Sequence, residues 1–209
     1  MNFDADGIID LMNKSGCPDD KLPAKATKKL TNTEANKIIG FLNDPEARRF
    51  ISSYSDENYF APDQIDLFDV LRFNRERMEH NLSKDELDKE IEALKAKYPD
   101  YLEFMGTDPV RVTGAQFEYL VKKYLGIDTI SDDMKKNIEF YLDSSNAYYA
   151  FTGGVFGLAE IKEANAWTLS DGNILVVVRD NEDIISSIVL KPSGDSYLFV
   201  QSVYLRGII

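Results

Sequence analysis

The sequence predicts an α+β fold: an N-terminal helical half of about five helices, then a C-terminal antiparallel β-meander of four to six strands. Three observations carry that expectation. Between residues 31 and 125 apolar residues recur at helical spacing, with a capping signal ahead of several runs. From about residue 137 the apolar period drops from roughly 3.6 to 2. The last four β-like runs are joined by the short turns "SDGN", "NE" and "PSGD", which force neighbouring strands to run antiparallel.

Residues 1–30, rich in proline and lysine, suit a tail or strap lying on the surface of a single α+β domain spanning 31–209. The alternative division is a helical lobe, 31–105, and a helix-plus-meander lobe, 106–209. "TNTE" (Thr31 to Glu34) reads as a capping box, in which hydroxyl and carboxylate each satisfy a backbone group of the first turn. Ala35, Ile38, Ile39 and Leu42 then line one helical face. Asp44 and Pro45 open a second helix with Ala47, Phe50, Ile51 and Tyr54 inward. A third, over "APDQIDLFDVLRFN", starts at Asp63 and turns Ile65, Phe68, Leu71 and Phe73 to the core. "SKDELDKEIEALKAKY" has a capping box in Ser83 and Glu86 and a stripe of Leu87, Ile91, Leu94 and Tyr98. The fifth helix follows the extended "PVRV". Thr113 and Gln116 cap it, Phe117, Leu120, Val121 and Leu125 face inward, and Gly126 ends it. "IEFYL", "NAYYAF", "EIKEANAWTL", "NILVVVRD", "IISSIVLK" and "SYLFVQSVYL" are the strands.

Acids outnumber bases 36 to 24, for a net charge of −12. The excess is spread along the chain, with seven acids against four bases in residues 150–209. Such a field repels nucleic acid, whose binders cluster Lys and Arg. No apolar stretch reaches the ~18–20 residues of a membrane span. One cysteine, Cys17, excludes an internal disulfide and reads as a partly buried thiol. One histidine, His80, excludes a multi-histidine zinc site.

The opening "NFDADGIIDLMN" has the outline of a calcium loop, with Asn2, Asp4, Asp6 and Asp10 at alternating ligand positions and Gly7 at the turn. Asn13 stands where a bidentate acid belongs and Asn2 where the first carboxylate belongs, so the competing reading is a short helix capped by Asp6. Apart from this possibility of calcium, no cofactor is expected. Asp63, Asp66 and Asp69 would form a stripe along the third helix, which is either a solvated face or a carboxylate set for acid–base work. "TGGVFG" (Thr152 to Gly157) has no following lysine and is no phosphate loop. The strand half holds most of the informative aromatics. Tyr148 and Tyr149 are consecutive and cannot both point inward; with Trp167 and Tyr197 they are the candidate binding residues for a sugar or a peptide. Strand parity places Tyr197 and Phe199 on one face and Tyr204 on the other.

"FISSYSDENYFAPDQIDLFDVLRFN", "VTGAQFEYLVKKYLGI", "YLDSSNAYYAFTGG" and "VLKPSGDSYLFVQS" together resemble a group of uncharacterised secreted proteins and lipoproteins of Gram-positive anaerobes. The resemblance spans roughly residues 45–202. Asn74-Arg75 departs from the Asn-Gly turn usual in that group, and the glycine loop after the paired tyrosines departs as well. The resemblance implies an extracytoplasmic location, with cytoplasmic as the alternative, and no known activity. The expected function is a non-enzymatic module contacting a protein or glycan near the cell envelope. The alternatives are a carboxylate-dependent hydrolase and a cytoplasmic acidic regulator or inhibitor.

Overall fold

In the computed structural model the described residues are 4–51, 58–72, 82–100, 110–150 and 159–205. They form an α+β fold whose C-terminal part is the antiparallel meander β5 (Ile161–Leu169), β6 (Ile174–Asp180), β7 (Ile185–Ser193) and β8 (Ser196–Tyr204). A fifth strand joins it from the other end of the chain. β1 (Ala26–Lys29) pairs antiparallel with β5, which gives the sheet order β1-β5-β6-β7-β8. The strands expected at "IEFYL" and "NAYYAF" belong elsewhere. β3 (Phe140–Leu142) and β4 (Ala147–Ala150) pair with β2 (Val110–Thr113) in a separate three-stranded sheet, β2-β4-β3.

Residues 1–30 do more than strap the surface. Asp4 accepts the Gly7 N–H at 2.7 Å and caps α1 (Ala5–Lys14). The helix buries Ala5, Ile8 and Met12 against Trp167, Leu175, Val177, Val189 and Val203 of the large sheet. On the opposite sheet face Ala166, Ile174, Val176, Val178, Ile188, Leu190 and Phe199 pack with residues of α2 (Asn32–Leu42), α3 (Leu67–Arg72) and α5 (Gly114–Leu125). The large sheet is therefore covered on both faces. That is why "ILVVV" runs apolar without alternation: every residue from Ile174 to Val178 is buried.

Four of the five helices expected over residues 31–125 form as α-helices. The capping boxes at Thr31/Glu34, Ser83/Glu86 and Thr113/Gln116 are all made, the last two opening α4 (Lys84–Lys97) and α5. The exception is the second. Residues Ala47–Phe50 make a single 3-10 turn, and the chain is extended by Ile51. A serine-rich stretch after a β-branched residue propagates a helix poorly. Ala47, Phe50 and Ile51 are buried all the same, and Tyr54 lies outside the described residues. The third helix is shorter than expected. Pro62–Gln64 is a separate 3-10 turn, Ile65 is extended, and the Asp66 carboxylate caps α3 by accepting the Phe68 N–H at 2.9 Å. Phe73 lies outside the described residues.

Strand parity misplaces one tyrosine. Val200 has no partner on β7, because the pairing slips between Val189–Gln201 and Leu190–Phe199. That bulge reverses the alternation. Phe199 lies on the face with α5, Val203 on the face with α1, and Tyr204 pairs with Ser186 back on the side of Phe199. No helix among the described residues is long and apolar enough to cross a membrane.

Candidate functional site

Two side-chain networks stand out, and one of them is open to solvent. It begins at the end of α2. The Asn43 amide donates to the Ile161 carbonyl and accepts the Ile161 N–H, each at 2.9 Å, so it substitutes for a strand neighbour at the start of β5. This fixes the turn that follows. Asp44 Oδ1 accepts the N–H groups of Glu46 (2.9 Å) and Ala47 (3.2 Å). Opposite lies the last turn of α5. Gly126 ends that helix in the left-handed region (φ 70°), and a Cβ there would come within 2.9 Å of Leu198 on β8. Only glycine combines that backbone with so close an approach.

The two segments meet in a compact cluster. The Tyr124 hydroxyl lies 3.1 Å from Asp44 Oδ1 and 3.0 Å from Glu46 Oε2, with a single proton to donate between them. Lys123 Nζ donates to Glu46 Oε2 at 2.7 Å and sits 4.8 Å from the Tyr124 ring centre and 5.3 Å from that of Tyr119. Tyr119, one helical turn before Lys123, is 57% exposed, the large apolar side chain left in solvent among the described residues. Phe41 extends the cluster inward, 6.2 Å from Tyr124 and 5.2 Å from Tyr197 between ring centres.

Burial works against ionisation of Asp44, but the backbone N–H groups of Ala47 and Glu46 and the Tyr124 hydroxyl hold its carboxyl below the ordinary range. Burial likewise opposes ionised Glu46, and Lys123 and Tyr124 outweigh it. Burial pushes the Tyr124 phenol up, and the two nearby acids add to that, although Lys123 pulls the other way. Burial disfavours the Lys123 ammonium, yet Glu46 and the two tyrosines raise it overall. All four shifts favour the same state at neutral pH, two carboxylates, one ammonium and an intact phenol.

The second network is closed. Arg111 on β2 grips Glu90 of α4 through Nε (2.7 Å) and Nη2 (3.1 Å), and the Tyr149 hydroxyl donates to the same Glu90 at 2.5 Å. Ser145 lies 3.2 Å from that hydroxyl. With Arg111 10% and Glu90 16% exposed, this is a clamp holding α4 on the small sheet.

The sequence-predicted residues are scattered among these features. Tyr149 is fully buried in the clamp, and half-buried Tyr148 meets Phe117 edge-on (5.2 Å) and lies tilted against Tyr141 (4.8 Å). Trp167 is buried on the α1 face, with Lys29 Nζ 5.6 Å from its ring centre. Only Tyr197, through Phe41, reaches the open cluster. Asp6 and Asp10 lie on the exposed side of α1 and Asp4 is its cap, so the three acids belong to a capped helix; Asn2 lies outside the described residues. Among the described residues no three His, Cys, Asp or Glu side chains gather as a metal set. The aspartate stripe is broken, with Asp63 in the 3-10 turn and Asp66 accepting from Asn137 at 2.6 Å. The Asp69 side chain, His80 and residues 152–157 fall outside the described residues. Cys17 is buried, and that burial, with Asp20 adding to it, pushes its thiol up to about 11.

Tyr119 and Lys123 had a signal in the sequence: an aromatic one turn from a lysine on the polar side of an amphipathic helix. Asp44 and Glu46 had none, since only the packing of α5 across the end of α2 brings them there. No family model, curated protein or solved structure matches the chain.

Proposed function

We propose that the chain is a non-enzymatic binding module, acting outside the cytoplasm near the cell envelope, with Tyr119, Lys123, Glu46 and Asp44 as its contact surface. One observation carries this reading: an exposed tyrosine stands beside charged groups that are already held in place by their neighbours. Pre-ordered polar groups around an aromatic anchor lower the entropic cost of association. The location rests on the resemblance to secreted proteins. Against a carboxylate-dependent hydrolase stands the matched ionisation of the pair. Asp44 and Glu46 share one phenol, so they are close enough to act together. Hydrolysis by such a pair needs one of them protonated, and both are held below the ordinary carboxylate range.

The test is co-sedimentation of the purified chain with isolated Gram-positive cell envelopes, comparing wild type with Tyr119→Ala. Because Tyr119 is exposed, the variant should keep its melting temperature. The expected result is retention of the wild type and loss of the variant from the pellet. Equal retention of the two would remove this surface as the contact.

A further inference from the structure

We infer that the Tyr119 surface takes an uncharged, hydroxyl-rich saccharide; this rests on the binding reading above and adds the class of ligand. The charges already present select against the other candidates. The Tyr119 ring has an ammonium 5.3 Å from its centre, that of Lys123. A cationic peptide brought to the same ring would have to share it with that ammonium, which lowers what a second cation gains from the aromatic ring. An anionic polymer would have to approach two carboxylates on a molecule of net charge −12. A neutral sugar meets neither obstacle. Its C–H face packs on the electron-rich face of a tyrosine, and its hydroxyls both donate and accept.

The polar groups are disposed to receive those hydroxyls. Asp44 uses Oδ1 for its three hydrogen bonds, and Glu46 uses Oε2 for its two. Asp44 Oδ2 and Glu46 Oε1 are left without a hydrogen-bond partner among the described residues. An ionised carboxylate oxygen is a stronger acceptor for a hydroxyl than a neutral one. Lys123 spends one N–H on Glu46 and is 40% exposed, which leaves donors for a hydroxyl or ring oxygen. Acceptors, donors and stacking ring therefore lie on one surface. The acceptors are fixed by bonds made before any ligand arrives.

The experiment is a titration of the isotope-labelled full chain, following backbone amides, with four probes in turn: cellohexaose, the hexamer of N-acetylglucosamine, octalysine and polygalacturonate. The expected result is that a neutral hexasaccharide shifts the amides of residues 44–47 and 118–124. Tyr119→Ala should then weaken its binding at least about tenfold, as for an aromatic hot spot, while Tyr119→Phe leaves it nearly unchanged. Glu46→Gln should weaken it as well. Shifts at these residues with octalysine or polygalacturonate and with neither neutral sugar would overturn the ligand class and leave the binding reading standing. Sugar-induced shifts confined to other residues, or none with any probe, would overturn the inference. The binding reading falls with it only if envelope retention is also indifferent to Tyr119→Ala.

Discussion

Glu90 shows at the level of one residue how a charge can be kept inside this fold. Burial alone would raise its carboxyl, but the Arg111 fork and the Tyr149 hydroxyl hold it below its ordinary value of 4.5. A depressed folded value adds stability that is fully present above the unfolded value and is lost as pH falls through the folded one. Resistance of the wild type to urea should therefore fall below about pH 4.5, and Glu90→Gln should show a shallower acid limb. At neutral pH Arg111→Met should cost about 3 kcal/mol, because an enclosed carboxylate loses its partner. Tyr149→Phe should cost about 1 kcal/mol, the usual worth of one hydrogen bond. An Arg111→Met chain as stable as wild type would mean that Glu90 is solvated and the clamp is not formed. Tyr119 is the opposite case, a side chain whose packing contributes little to the fold and which is therefore free to serve a partner.

At the scale of elements, legibility followed sequence distance. The three capping boxes and the Gly126 stop are decided within a few residues, and each could be read directly. The failures have non-local causes. Ala47, Phe50 and Ile51 have helical spacing, but they are buried from a 3-10 turn and an extended residue, so burial imitated periodicity. The bulge at Val200 has no mark in "SYLFVQSVYL" and reversed the assignment of Tyr204. β1 is an exposed run of "ATKK" whose partner lies far along the chain; its lysines suit an edge strand, which must discourage further pairing. One non-local feature does have a local mark: an unbroken apolar run such as "ILVVV" indicates a strand covered on both faces, and α1 covers one of them. Fully burying Ile8 and Met12 contributes roughly 1.5–3 kcal/mol each. A chain beginning at residue 31 should consequently expose Trp167, Leu175, Val177 and Val189, bind a hydrophobic dye and lose its cooperative melt. In the intact protein Cys17 should resist a thiol reagent at neutral pH until α1 undocks. A soluble, cooperatively melting truncation would contradict the two-sided sheet.

Over the whole molecule, the two faces of the large sheet are used differently. α1 closes one of them, and its side of the sheet ends in buried Cys17 and Trp167. α2 and α5 close the other and leave their C-terminal ends side by side. There the aromatic core of Phe41, Phe50, Tyr124 and Phe199 is joined to charged groups at the surface through the Tyr124 hydroxyl. Such a place suits contact with a partner, because the groups at its surface are bonded to a buried residue of the aromatic core. Tyrosines distributed through the structure make this testable in one spectrum. With ring-labelled tyrosine and solubilised envelope polysaccharide, the signals of Tyr119 and Tyr124 should shift, while that of Tyr149, buried in the clamp on the small sheet, should stay in place. Shifts at Tyr141 and Tyr148 with none at Tyr119 would contradict the account and move the contact surface to the small sheet.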